Sequence, residues 1–344
     1  MRLEQLTFTR FLAAIAIVIF HYGRNVFPFD HSSVNYLFQQ ASIGVSYFFI
    51  LSGFVMVIAY AKNDKIEFGE FTKKRFARIY PAYVLAIVLL FIYYIAAKKP
   101  LDYKGILLSL TLMQSWFPGY ATTFNFPSWS LSVEIFFYLI FPFLFNYIYK
   151  KIPLKQLITP VFILFIISQI AVHVMRYSSF YDGYPSKSHD LIFYFPLMHL
   201  NQFLIGNLAG LFFLKGIKNR NYDLPIIALT LVVVLLLKIN TTIIYDNGLI
   251  GFIFVPLILL ISANTGFLTR FSEQKICVFL GEISYGIYIL QKPVCSWVNG
   301  IFKYFNIGNE TFIFYSSIMV LILFSAISYR YLESPLRKLI QQRA

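Results

Sequence analysis

Apolar runs of roughly twenty residues, each closed off by a polar cluster, recur along the whole chain. "FLAAIAIVIF", "YVLAIVLLFIYYIAA" and "LPIIALTLVVVLLL" are three of them. A bilayer's hydrocarbon core is about 30 Å thick, and a helix needs about 20 apolar residues to cross it. Composition agrees, since 58% of the 344 residues are hydrophobic and only 13% are charged. Soluble domains run near half and about a quarter. The chain is therefore expected to be all-α, a polytopic transmembrane helical bundle. Such a bundle packs as one unit, so residues 1–344 read as a single domain. The first run is taken as a retained span rather than a signal peptide, because "HYGRN" follows it instead of a small-residue cleavage site.

Spans are expected at about 8–27, 41–61, 79–97, 131–149, 156–175, 191–214, 224–241, 248–265, 276–300 and 311–331. The stretch 105–128 decides the topology. As an eleventh span it would put "KKIPLK" and "KGIKNRN" outside, against the tendency of basic residues to stay in the cytoplasm. As a re-entrant segment it repairs every later loop, at the cost of irregular backbone that only surrounding protein can tolerate. With ten spans and both termini cytoplasmic, 20 of the 29 Lys and Arg residues fall inside. Arg2 and Arg10 begin that count, and Lys98, Lys99 and Lys104 are the main misfits. The net charge of +14 is then topological and implies no nucleic acid. Cys277 and Cys295 lie on one helix and cannot reach each other, so neither a disulfide nor a Cys-based metal site is expected. No P-loop, dinucleotide fingerprint, HExxH or GxSxG occurs. The histidines show no metal-ligand spacing, and no metal is expected.

A few residues are costly where they stand. Arg10 and His21 are 11 residues apart, which on a straight α-helix leaves them on one stripe about 16 Å apart along the axis. Arg10 would sit near the cytoplasmic mouth and His21 beyond mid-membrane. Either could be bland, Arg10 reaching to headgroups and His21 bonding a neighbouring helix. Ionisable groups inside spans are nonetheless functional candidates. Glu134, in "PSWSLSVEIFFYLIFP", enters from the opposite face and reaches a similar depth to His21. A His–carboxylate pair would orient the imidazole as a general base. Ser130, one turn earlier, is placed to donate to Glu134. In "FTKKRFARIYPAY", Arg75 and Arg78 stand one turn apart before a span whose first turn holds Pro81, a fork for phosphate oxygens or an ordinary basic collar. Gly44 and Gly53 would let helix backbones approach.

Six segments, "TRFLAAIAIVIFH", "SYFFILSGFVM", "KRFARIYPAY", "PSWSLSVEIFFYLIFP", "GEISYGIYILQKP" and "YRYLESPLRK", together resemble the acyltransferase family 3 membrane proteins, which O-acylate exported carbohydrates. The resemblance covers essentially the whole chain. It implies that Arg75 and Arg78 hold the phosphates of a cytoplasmic acyl-CoA, with Arg10 lining the path of its arm. It implies that His21 and Glu134 are catalytic, and that Trp129, Ser130, Tyr285 and Gln291 contact the acceptor. Gln291 stands where family members often carry histidine, and His199 where arginine is common. The implied activity is O-acetyl transfer from acetyl-CoA, a co-substrate rather than a bound cofactor. The acceptor would be a hydroxyl of a lipid-linked or exported polysaccharide such as O-antigen or exopolysaccharide. The implied setting is the bacterial inner membrane, with lipid around the bundle. A transporter or flippase for a lipid-linked glycan would use a similar polar core without chemistry.

Overall fold

The structure, a computed structural model, describes residues 3–239 and 242–342. Arg2 and the last two residues of the 224–241 segment lie outside the described residues. The helices are α1 (Gln5–Val18), α2 (Asn35–Gln39), α3 (Ile43–Tyr60), α4 (Phe68–Ala96), α5 (Tyr103–Leu110), α6 (Trp129–Phe143), α7 (Leu154–Tyr177), α8 (Lys187–Phe193), α9 (Leu200–Phe213), α10 (Asp223–Lys238), α11 (Gly251–Ala263), α12 (Phe267–Ser272), α13 (Lys275–Tyr304), α14 (Glu310–Ser328) and α15 (Ser334–Gln342). No β-strand forms among the described residues. Each of the ten apolar segments carries a helix. Six helical stretches are long and apolar enough to cross a bilayer: Gln5–Gly23, Ile43–Tyr60, Phe68–Ala96, Phe126–Tyr149, Leu154–Tyr177 and Glu310–Ile340. The fold is an all-α membrane bundle.

Its outer layer is apolar. Ile158, Phe162, Ile167, Ile170 and Val174 of α7 all face outward, an arrangement water would penalise and lipid does not. The centre is α1, α3, α4, α6, α9 and α13. Helices α3 and α9 meet backbone to backbone, because a Cβ on Gly206 would strike the Ile50 carbonyl and one on Gly53 the Phe203 carbonyl. Small residues serve this purpose where lipid gives helices no hydrophobic drive to associate.

Two boundaries differ from the expected spans. Helix α4 starts at Phe68, eleven residues before the apolar run, so Arg75 and Arg78 lie within it and Pro81 is in its interior. Glu70 in the first turn complements the helix dipole and supports this early start. The 191–214 segment is broken, with α8 ending at Phe193 and α9 beginning only at Leu200. Pro196 opens a short 3-10 turn between them.

The 105–128 stretch has the character expected of a re-entrant segment. Helix α5, with eight residues, spans only about 12 Å. Irregular backbone follows and is buried in protein, where side chains satisfy it. Tyr83 donates to the Ser109 carbonyl at 2.5 Å and Tyr80 to the Leu110 carbonyl at 2.7 Å. Gln114 donates to the Ser128 carbonyl at 2.9 Å and Asn125 to the Ile289 carbonyl at 3.1 Å. Gly119 N–H donates to the Asp190 carboxylate at 2.7 Å. These bonds satisfy carbonyls at the end of α5 and backbone of the irregular stretch, while the Asn125 bond ties the segment to α13.

Candidate functional site

The cavity begins with a stripe on α1. Leu3, Leu6, Thr7 and Arg10 line one face, at the spacing of successive helical turns. Opposite them stand most of the length of α3, the third turn of α4, the N-terminal part of α6, the middle of α13, and the junction of α14 with α15. Together they enclose about 410 Å³, within the usual range of a small-molecule site. Arg10, Arg75, Arg78 and Arg337 all reach its wall. The one-turn separation of Arg75 and Arg78 places both on the same face of α4.

Arg75 is fixed by aromatic rings. Its guanidinium carbon lies 5.2 Å from the centre of Phe71, 5.5 Å from Tyr60 and 5.8 Å from Tyr138. One terminal nitrogen donates to the Tyr60 hydroxyl at 3.3 Å. Its Nε is buried with no hydrogen-bond partner. A buried charged donor left unpaired is expensive, and an incoming anion would satisfy it.

Three carboxylates share the wall, and hydroxyl groups engage each of them. Glu134 accepts from Tyr138, one turn along α6. Glu333 accepts from Ser328 at 3.0 Å. Glu282 lies within hydrogen-bond reach of Tyr329, beside Arg337. Tyr285 also lines the cavity and donates to the Ile79 carbonyl at 2.6 Å.

Ser130 does not donate to Glu134 as its spacing suggested. It donates back to the Pro127 carbonyl at 3.0 Å and meets the Tyr288 hydroxyl at 2.8 Å. A serine in the first turn of a helix readily bonds the preceding backbone in this way. Trp129 is half-buried and packed, 4.8 Å from Tyr194, 5.2 Å from His199 and 5.9 Å from Phe49. His199 is fully engaged. Its Nε2–H donates to the Phe193 carbonyl and its Nδ1 accepts from Gln202, both at 3.0 Å.

His21 lies beyond this cavity. The last turn of the first span, Ile19–Gly23, is π-wound, so the straight-helix phase that put His21 on the Arg10 stripe does not hold there. Such π-turns are frequent at functional sites. The expected pairing of His21 with Glu134 is not formed, because Glu134 turns along its own helix to Tyr138. The partner is Gln291, fully buried on α13. Its Nε2 donates to the Tyr288 carbonyl at 2.7 Å, and its Oε1 lies 2.7 Å from His21 Nδ1. A carboxamide oxygen can only accept, so Nδ1 carries the proton and Nε2 keeps its lone pair. Phe126 packs edge-on to the imidazole, with ring centres 4.5 Å apart.

Of the residues expected to act, Arg10, Arg75, Arg78, Glu134, Ser130 and Tyr285 meet at one cavity. His21 and Gln291 meet at another place, and Trp129 packs at neither. Tyr138, Tyr288, Glu282, Glu333 and Arg337 were not singled out. All but Tyr138 fall inside the quoted "GEISYGIYILQKP" and "YRYLESPLRK", and Tyr138 lies one turn beyond Glu134 in its own motif.

A family model described as an acyltransferase domain matches residues 3–331. Acyltransferase MdmB of Streptomyces mycarofaciens is 35% identical over 45% of this chain and 42% of its own. O-acetyltransferase OatA of Staphylococcus aureus (strain NCTC 8325 / PS 47) is 23% identical over 96% of this chain and 56% of its own. Peptidoglycan O-acetyltransferase OatA of Listeria monocytogenes is 24% identical over 96% and 55%. The chain thus spans about half the length of the curated relatives it matches. No solved structure matches it. With the family model covering nearly every residue, the chain belongs to the membrane acyltransferase family 3.

Proposed function

We propose that this protein is an integral membrane O-acetyltransferase that carries an acyl group from cytoplasmic acetyl-CoA to a hydroxyl of a cell-envelope carbohydrate. The observation that carries this reading is the convergence of Arg10, Arg75 and Arg78 on one cavity, with the buried Arg75 Nε still to be paired. Arginine forks suit phosphate oxygens, so Arg75 and Arg78 take the nucleotide phosphates and Arg10 borders the path of the pantetheine arm. The cavity faces the cytoplasm, both termini lie on that side, and residues 1–344 act as one unit in the inner membrane.

The acyl thioester extends past Ser130 and Tyr288 toward His21. The acceptor hydroxyl gives its proton to His21 Nε2 as its oxygen attacks the thioester carbonyl. The new C–O bond forms, the C–S bond breaks, and the coenzyme thiolate leaves and is protonated. Gln291 positions the base by holding Nδ1–H, which fixes the nitrogen that faces the acceptor. Glu134, held by Tyr138, balances the arginines and sets their geometry. The acceptor is an exported or lipid-linked polysaccharide, and the name of the Listeria relative makes peptidoglycan a candidate alongside O-antigen and exopolysaccharide.

The test is turnover by purified protein in liposomes, supplied with acetyl-CoA on one side and lipid-linked glycan on the other. Acetylated glycan should appear only with acetyl-CoA on the side bearing Arg75. Glycan crossing the bilayer unmodified, whether or not acetyl-CoA is present, would overturn the reading.

A further inference from the structure

Lys98, Lys99 and Lys104 break the charge pattern that orients the rest of the chain, and acyl transfer itself does not use them. Lys292 is a further anomaly. It lies about 25 Å along the thirty-residue α13, directly after Gln291. A cation at such a position inside a span is expensive unless it serves a ligand or a partner.

Its surroundings tie it to the base. The Lys292 ammonium sits 5.4 Å from the centre of the Phe126 ring, and the same ring packs on the His21 imidazole at 4.5 Å. Arg24 lies 5.8 Å from the centre of Phe20, whose ring is 5.0 Å from His21. Lys99 is held over Tyr93 and Tyr94 at 4.9 and 5.7 Å, close enough to Lys292 for the two charges to repel. Lys292 and Arg24 therefore each lie on a ring that touches one neutral imidazole, with Lys99 on the Lys292 side.

Among the described residues, no ion pair supplies the counter-charge. Asp102 is committed to capping α5 through Gly105 N–H at 3.0 Å, and Glu310 sits in the first turn of α14. Among the described residues, no carboxylate forms an ion pair with Lys292, Lys99 or Arg24. Like charges held together on aromatic faces create a field that draws an anion from outside.

We propose that the acceptor carries an anionic group, a carboxylate or a phosphate, beside the hydroxyl that is acylated, and that Lys292 binds this group with Lys99 and Arg24 around it. The inference rests on the acyl-transfer reading of His21 and names the class of acceptor. Anchoring an anion next to the base selects which hydroxyl reaches Nε2, which is how orientation contributes to rate.

The test uses wild-type protein, Lys292→Met and Lys292→Arg in phosphatidylcholine nanodiscs. The probes are a glucuronate-containing disaccharide with its carboxyl-reduced twin, and glucose 1-phosphate with glucose. At least one anionic probe should bind wild type and Lys292→Arg about tenfold or more tightly than its neutral twin. Lys292→Met should lose that preference while still binding CoA, which shows that it is folded. Equal binding of each anionic probe and its twin by wild type, or a preference that survives in Lys292→Met, overturns the proposal. So does a Lys292→Met variant that, when phosphatidylglycerol is added to the nanodiscs, loses only that bound lipid in native mass spectrometry, since Lys292 would then serve a lipid headgroup. The acyl-transfer reading is judged separately by CoA binding in Arg75→Ala, so the two can fail independently.

Discussion

The two polar regions of the bundle are built on opposite terms, although α1 and its π-turn serve both. Around Arg10 the wall is charged and incompletely matched. Four arginines face three glutamates, the glutamates are engaged by hydroxyls, and Arg75 Nε has no partner. Around His21 the polar contact is neutral, oriented and enclosed by Phe126, Phe20 and Tyr22. Unmatched buried charge is tolerable where a ligand brings the counter-charge. An oriented neutral imidazole suits moving a proton. On the proposed function the contrast divides the labour, with coenzyme binding at the arginine end and acceptor binding and proton transfer at the histidine end.

The harshest way to break this division is His21→Ala. General-base assistance supplies about 10²–10⁴-fold in rate, so turnover should fall by that much while CoA affinity stays unchanged. Turnover near wild type in liposomes, or a parallel loss of CoA binding in calorimetry, would erase the distinction between the two regions.

The arginines should show the mirror image. Charge-assisted hydrogen bonds contribute about 1.5–3 kcal/mol each, so Arg75→Ala and Arg78→Ala should each weaken CoA binding roughly ten- to a hundredfold. At saturating acetyl-CoA their turnover should recover most of its value. A drop in kcat without a change in affinity would move these arginines from binding to chemistry.

Gln291 probes the histidine end more gently. Gln291→Leu leaves Nδ1–H unpaired, and about 1.4 kcal/mol corresponds to a tenfold loss. We expect kcat to fall about tenfold with KM for acetyl-CoA unchanged. Gln291→Glu should restore part of the rate, because a carboxylate also accepts from Nδ1–H. Equal losses in both variants would mean that Gln291 fills space rather than orienting the ring.

What could be read beforehand follows the same division. Arg75 and Arg78 lie one turn apart on one helix, so local periodicity alone places them together. The apolar runs place a helix in each of the ten expected segments, and the reading of 105–128 as re-entrant comes from charge in loops far from it. His21 and Gln291 are 270 residues apart, and no local spacing links them. The π-winding at Ile19–Gly23 is also unreadable, since "IFHYG" would continue an α-helix equally well. The partner of Glu134 is hidden for a third reason. Depth along a helix does not say which way a side chain turns, and Tyr138 offers it a nearer partner.

The smallest expected effect gives the sharpest separation. Lys74 stands next to Arg75 in sequence and carries the same charge, yet it points out to pair with Glu70 one turn back on the exposed side of α4. If a diffuse basic collar attracted CoA, Lys74 and Arg75 would matter alike. If the cavity wall does the binding, only Arg75 matters, because the collar's charges are screened within a Debye length of about 8 Å at physiological salt. An exposed i,i+4 pair contributes about 0.3–0.5 kcal/mol to its helix, so Lys74→Ala should barely change thermal stability. Its affinity for CoA should stay within about twofold of wild type, less than the 1.4 kcal/mol of a tenfold change. Raising the salt concentration should leave the ratio between Arg75→Ala and wild type nearly intact, as expected for a site walled off from solvent. A tenfold loss in Lys74→Ala that disappears at high salt would show that the charge around the α4 start, and not the cavity geometry, recruits the coenzyme.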